Sequence, residues 1–273
     1  CAGAKETALF CLREIIMIYT MDIGNTNIKT ALFDGEKLVH YWRISTNHSY
    51  TSDEYGVMLD GMFRHANLEM GLVTAVMISS VVPTINFTID HMCRDYFHVT
   101  PLFVNPGIKT GLNIQYENPK ELGSDRICNA VAANWYYGAP CIFIDFGTAT
   151  TFGAIDAKGA FLGGCICAGI KLAADALVTR TSKLPQFELM MPPKVICRTT
   201  VTNMQAGLLY GYVGQVNYIV ERMKEELGDD KIKVIATGGM SRLIATESKA
   251  IQHIDGLLTL KGLRLLQERN GTA

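Results

Sequence analysis

Residues 18–35 read IYTMDIGNTNIKTALFDG, and residues 142–159 read IFIDFGTATTFGAIDAKG. Each stretch opens on a short β-rich apolar run that closes on an aspartate, Asp22 in one and Asp145 in the other. A glycine stands two residues later (Gly24, Gly147), with a threonine close behind (Thr26, Thr148). A second apolar run then leads into an acidic, glycine-containing turn, Asp34-Gly35 or Asp156 to Gly159. Runs this short, bounded by such turns, are the pattern of hairpin strands. The first copy continues into a third strand over Lys37 to Ile44, the second into one over Ala160 to Cys167.

Apolar segments of helical length separate the two copies, and further strands are expected at Ala75 to Val82 and Lys233 to Thr237. The chain is therefore expected to fold as two similar α/β units facing each other. Their sheets are mixed, because hairpins start each unit and helical crossovers follow. The boundary falls near Gly138-Ala139-Pro140, giving an N-terminal unit at 17–138 and a C-terminal unit at 139–273. The strand pattern begins near Met17, so residues 1–16 read as an extension that is disordered or foreign to the native chain.

A duplicated D-x-G-x-T hairpin has a chemical use. Glycine lets the backbone turn tightly and bring N–H groups close to anionic oxygens. The threonine hydroxyl adds a donor, and an aspartate at a strand end can hold a cation that neutralises phosphate. Two facing hairpins would clamp the phosphate tail of a nucleotide. Other nucleotide signatures are missing. Gly164 to Lys171 comes nearest to G-x-x-x-x-G-K-[ST], but Ile170 separates Gly169 from Lys171. No G-x-G-x-x-G opens a helix either.

Residues 116–137, YENPKELGSDRICNAVAANWYY, contain the third feature. Ser124 is placed to cap a helix, and Ile127, Ala130, Val131 and Asn134 or Trp135 follow at helical spacing. Asp125 and Arg126 then sit in the first turn. A carboxylate is electrostatically comfortable there, so Asp125 is read either as a helix stabiliser or as the group that takes a proton in phosphoryl transfer.

DIGNTNIK (22–29), YENPKELGSDR (116–126) and DFGTATT (145–151) are similar, in order and spacing, to the three signature motifs of type III pantothenate kinases. Thr237-Gly238-Gly239 resembles that family's adenosine-side glycine turn, and TVTNMQAG at 200–207 also matches. The resemblance covers nearly the whole chain from Met17. It implies two RNase H-like domains of the actin/hexokinase type, with a nucleotide cleft between them. The implied activity is ATP-dependent phosphorylation of pantothenate to 4′-phosphopantothenate, the first step of coenzyme A biosynthesis. The alternatives are another hydroxyl kinase of the same architecture, or a non-catalytic regulatory relative.

Residue by residue, the resemblance implies that Asp22, Ile23, Gly24, Asn25, Thr26, Asn27, Ile28 and Lys29 bind ATP, joined by Thr148. Asp125 would accept the proton of the pantothenate hydroxyl. Tyr116, Gly123, Ser124, Asp125, Arg126 and Thr200 would bind pantothenate. Asp145 would hold a monovalent cation, K+ or NH4+, while Mg2+ would travel with ATP. A homodimer is implied, with Tyr116 facing the neighbouring subunit. Two positions depart from the family pattern: Ala168 precedes Gly169 where proline is usual, and Asn203 replaces a commoner serine. The first bears on backbone stiffness behind the site, the second on hydrogen bonding to the acceptor.

Composition narrows the partners. Twenty-five Lys and Arg against 26 Asp and Glu give a net charge of -1, without the basic excess of nucleic-acid or membrane-surface binders. The apolar run from Gly159 to Ile170 stops at Lys171, too short to span a bilayer. Leu9 to Met21 is interrupted by Arg13 and Glu14 and lacks the marks of a signal peptide, so a cytoplasmic protein is expected. Cys128, Cys141 and Cys197 read as core residues of a reduced protein, and Cys165 with Cys167 lacks the partners of a zinc site. The six histidines show no ligand spacing. Met190-Met191-Pro192-Pro193 reads as a loop before a strand at Val195. Glu221 to Glu226 reads as a solvated helix face, and Leu257 to Glu268 as an amphipathic helix packing back across the domains.

Overall fold

The computed structural model describes residues 17–271, so the expected extension at 1–16 lies outside the described residues. The first copy forms β1 (Met17–Ile23), β2 (Asn27–Asp34) and β3 (Lys37–Ser45), followed by α1 (Ser52–His65), β4 (Val73–Ser80), α2 (Asn86–Met92) and β5 (Leu102–Phe103). A short β6 (Asn113–Ile114) and α3 (Ser124–Tyr137) lead to the second copy. That copy forms β7 (Cys141–Phe146), β8 (Ala149–Ile155), β9 (Ala160–Ala168), α4 (Ile170–Thr179) and α5 (Thr200–Leu227). It ends in β10 (Lys233–Gly238), α6 (Ser241–Ala245), β11 (His253–Ile254) and α7 (Leu258–Asn270).

The two sheets repeat one plan. The first runs β3-β2-β1-β4-β5, and the second runs β9-β8-β7-β10-β11 with β6 added beside β9. In each, the leading three strands are antiparallel, and the two later strands are parallel to the first. The duplication in sequence is thus a duplication of mixed sheets.

Why the strands pair this way follows from which faces are covered. Tyr19, Met21 and Ile23 alternate onto the outer face of the first sheet, against Leu59 and Phe63 of α1. Ile142 and Ile144 pack outward against Leu209, Val213 and Val216 of α5, while Phe143 faces inward. All of β7 is buried, as befits a strand covered on both faces. Between the sheets lie α3 and α7, whose Ile127, Val131, Leu263 and Leu266 meet Phe33 and Met77 on one side and Phe143 and Phe161 on the other. Each such buried side chain contributes about 1.5–3 kcal/mol relative to exposure. The close approach of these helices needs a glycine. A Cβ on Gly262 of α7 would stand 2.0 Å from the Cys128 carbonyl oxygen of α3. The amphipathic C-terminal helix therefore packs back onto the first unit, against β1, β4 and α3.

Three expectations need correction. Ser124 is the first helical residue rather than the cap; Gly123 holds the cap position with no side-chain bond. The Ser124 hydroxyl is drawn instead to the end of β4, 2.9 Å from Ser79 Oγ and 3.3 Å from the Ser80 carbonyl. No strand forms at Val195, where two prolines precede an apolar run of only three residues. Val195 and Ile196 lie exposed in the segment joining α4 to α5. Cys197 is in the same segment, half-buried, whereas Cys128 and Cys141 are in the core. The Glu221 to Glu226 run occupies the exposed end of α5. Among the described residues, no helix is long and apolar enough to cross a membrane.

Candidate active site

Register puts three carboxylates at one place. Asp22 stands near the end of β1, paired in register with Lys29 across the first hairpin and with Ser79 on β4. Asp145 stands near the end of β7, opposite Thr151 and Thr237. The serine bonds to β4 dock the start of α3 between these strand ends, and Asp125 rides on its first turn. Crevices outside the carboxyl ends of strands are where open α/β sheets bind ligands.

The first hairpin carries its own counter-ion, because Lys29 Nζ lies 3.6 Å from Asp22 Oδ2. The second has Thr151 at the matching position. One oxygen of Asp145 accepts from Asn129 Nδ2 at 3.2 Å; the other, like the Thr151 hydroxyl, is buried with no partner. A Cβ on Gly238, whose φ is +90, would stand 2.5 Å from that free oxygen. Only glycine adopts this backbone here without strain, and its lack of a side chain leaves the carboxylate its room. A buried, acceptor-only oxygen without a donor fits a bound cation.

The carboxylates feel one another. Burial pushes Asp22 up from 3.8 to about 6; Lys29 opposes the shift, while Asp125 and Asp145 add to it. Asp125 is also raised, first by burial and then by Asp145, although the Arg126 backbone N–H donates to its Oδ1 at 2.9 Å. Because folded Asp22 holds its proton more tightly than the unfolded chain, its contribution to stability is full below its ordinary 3.8. That contribution is lost as pH rises through about 6. Asp22→Asn should therefore flatten the pH dependence of the melting temperature over that window, and an unchanged slope would assign it to other groups.

Arg126 is 5% exposed, and its guanidinium sits between two rings, 5.5 Å from the Tyr116 centroid and 5.8 Å from that of Phe161. Nη1 donates to the Tyr116 hydroxyl at 3.4 Å, leaving Nε and Nη2 buried without partners. A buried cation with two idle donors is built for an anionic or carbonyl oxygen.

The hairpin turns are braced from outside. Gly24 N–H donates to the Asn27 carbonyl at 3.0 Å, and the Thr46 hydroxyl donates to the Gly24 carbonyl at 2.6 Å. In the second hairpin, Gly147 N–H donates to Ala149 at 3.1 Å, and Gly169 N–H donates to the Thr148 carbonyl at 3.0 Å. Tyr212 donates to the Ala168 carbonyl at 2.7 Å, fixing the backbone just before Gly169. Asn25, Thr26 and Thr148 are exposed at the turns, whereas Ile23 and Ile28 have fully buried side chains and offer a ligand only their backbone.

Of the expected site residues, Asp22, Lys29, Asp125 and Asp145 come together, with Tyr116 beside Arg126. Thr200 stands apart. It is exposed at the start of α5 and lines a groove of about 500 Å³ with Leu184, Met204 and Leu208. Sequence reasoning missed Thr46, Asn129, Phe161 and Thr259. Only Asn129 left a signal, as a lone amide in the apolar run ICNAVAA.

A family model described as type III pantothenate kinase matches residues 18–222. Among solved structures, a Campylobacter jejuni protein assigned to the Baf family of transcriptional activators is similar at 17% identity and a TM-score of 0.59, over 92% of this chain and 98% of that one. The ethanolamine utilization protein EutJ from Carboxydothermus hydrogenoformans matches at 12% identity and a TM-score of 0.53, over 93% of each chain. The activator of 2-hydroxyisocaproyl-CoA dehydratase from Clostridium difficile, with bound ADPNP, matches at 15% and 0.51, over 93% of this chain and 96% of that one. These likenesses extend to the fold alone.

Proposed function

Because this chain belongs to the type III pantothenate kinase family, we propose that it transfers the γ-phosphoryl group of ATP to the primary hydroxyl of pantothenate, giving 4′-phosphopantothenate and ADP, the first step of coenzyme A biosynthesis. The observation that carries this reading is the convergence of Asp22, Asp125 and Asp145 where two duplicated hairpins meet the N-terminus of α3. The nucleotide bound to the Clostridium difficile protein of shared fold supports a nucleotide in the same cleft.

The roles follow from the chemistry each position permits. Exposed backbone N–H groups and hydroxyls at Asn25, Thr26 and Thr148 hold the phosphates, with Lys29 adding a positive charge. Asp125 orients the acceptor hydroxyl and takes its proton as the oxygen bonds to the γ-phosphorus and the bond to the β-phosphate oxygen breaks. Its raised pKa favours that transfer near neutral pH. Arg126, held by Tyr116, supplies its idle donors to the acceptor. Magnesium carried by ATP and a monovalent cation at Asp145 Oδ1 would neutralise phosphate charge when bound.

The homodimer is part of the same reading. Gly207, Gly211 and Gly214 repeat along one exposed face of α5, where an added Cβ would meet nothing within 4 Å. Such a face suits close packing against a second copy of the helix, near the groove that Thr200 lines.

Purified protein with ATP, Mg2+ and K+ should convert pantothenate to its phosphate in preference to sugars or acetate, read by mass spectrometry. Turnover should rise with K+ or NH4+ but not Na+, and Asp145→Ala should abolish that dependence. Preference for another acceptor would remove the substrate assignment, and indifference to K+ would remove the cation from Asp145.

A further inference from the structure

Asn129 lies one helical turn beyond Asp125 on α3 and is completely buried. While its Nδ2 donates to Asp145 Oδ2, its Oδ1 accepts from Thr259 Oγ1 at 2.8 Å. Thr259 belongs to α7 and is 3% exposed. The bonds therefore run from α7 through α3 to the second hairpin, out of contact with water.

The direction of this chain is fixed by what each group can do. The Asp145 Oδ2 accepts from Asn129 Nδ2, so the NH2 side of the amide faces the carboxylate. The amide oxygen then points away, and burial leaves it dependent on the Thr259 hydroxyl as its donor. Were the amide reversed, two acceptors would face each other at Asp145. With Oδ2 engaged, the other oxygen of Asp145 stays free.

Resting on the kinase reading above, we propose that Asn129 and Thr259 are positioning residues for phosphoryl transfer, setting the Asp145 carboxylate relative to Asp125 and reserving its second oxygen for a bound cation. Neither residue touches substrate in this scheme. Thr259 acts only through Asn129, and Asn129 only through Asp145. The C-terminal helix is thereby tied to the geometry of a nucleotide site to which it contributes no contact.

The test is ADP affinity, measured by calorimetry in the presence of Mg2+ and K+, with thermal melts alongside. Asn129→Leu removes both bonds at nearly constant volume and should weaken ADP binding about ten-fold or more. Thr259→Val should weaken it roughly three- to ten-fold, and Thr259→Ser, which keeps the hydroxyl, should stay within about two-fold. The double variant Asn129→Leu/Thr259→Val should bind no more weakly than Asn129→Leu alone, because the second bond has lost its purpose. Additive losses, or ADP affinity unchanged in Asn129→Leu, would overturn the relay. If Asn129→Leu does not fold, the Thr259→Val and Thr259→Ser pair decides: equal affinities in the two overturn it. Wild-type protein that binds no ADP would overturn the kinase reading and the relay with it. Tight binding by wild type and variants alike would overturn the relay alone.

Discussion

Asp125→Asn is expected to lower kcat by about 10²–10⁴-fold while leaving ATP affinity nearly unchanged. Asparagine keeps the size of the side chain and an oxygen that can accept the Arg126 backbone N–H, now received by Asp125 at 2.9 Å. What it loses is the capacity to take a proton from the acceptor hydroxyl. The folded protein should not suffer, because one negative charge leaves a cluster in which Asp22 and Asp125 are both raised by burial and by neighbouring carboxylates. Rapid-quench turnover and a nucleotide titration on the same preparation measure both halves. A variant within a few-fold of wild type would reduce Asp125 to a stabiliser of the first turn of α3.

Arg126→Leu should separate function from stability more sharply. The guanidinium is buried, with one long bond to Tyr116 and two nitrogens lacking partners, so the apo protein bears the cost of an uncompensated cation. An apolar replacement relieves the penalty of burying a charge without a partner, so it should cost the apo protein little. Acceptor binding should move the other way. Removing one partner of a buried, charged hydrogen-bonded pair costs about 2–5 kcal/mol, or roughly 30- to several-thousand-fold in kcat/KM for the acceptor. The expected result is a protein that melts at the same temperature or higher and is nearly inactive at ordinary acceptor concentrations. A marked fall in melting temperature with kcat/KM preserved would make Arg126 a structural cation stacked between Tyr116 and Phe161.

The architecture was legible because it is written twice. The two hairpins announce themselves through strand-ending aspartates and turn glycines, and the sheets repeat order as well as content. Asp22 and Asp145 were legible for the same reason, each standing two residues before a turn glycine, while Asp125 was legible only from the separate segment 116–137. What escaped was everything set by long-range packing. Thr46 braces the Gly24 turn from 22 residues away, and Thr259 reaches Asn129 across 130 residues. Neither residue stands out locally. Ser124 illustrates the limit in miniature. Its propensity pointed to a helix cap, but the Ser80 carbonyl and the Ser79 hydroxyl at the end of β4 offered its hydroxyl better use. The Val195 strand did not form, and three apolar residues after two prolines are too short a run to decide one.

The placement of α7 also bears on how the protein is made. β1 and β4 are translated well before the helix that packs against them, which follows every other described element. Until residues 258–270 emerge, the inner side of the first sheet, with Phe33 and Met77, lacks part of its cover. A stalled or shortened nascent chain would hold both phosphate hairpins in sequence without α7 packed between the sheets. Such a chain would expose the apolar surface that α7 otherwise covers. A chain stopped short of α7 therefore cannot form the Thr259–Asn129 bond that stands behind Asp145.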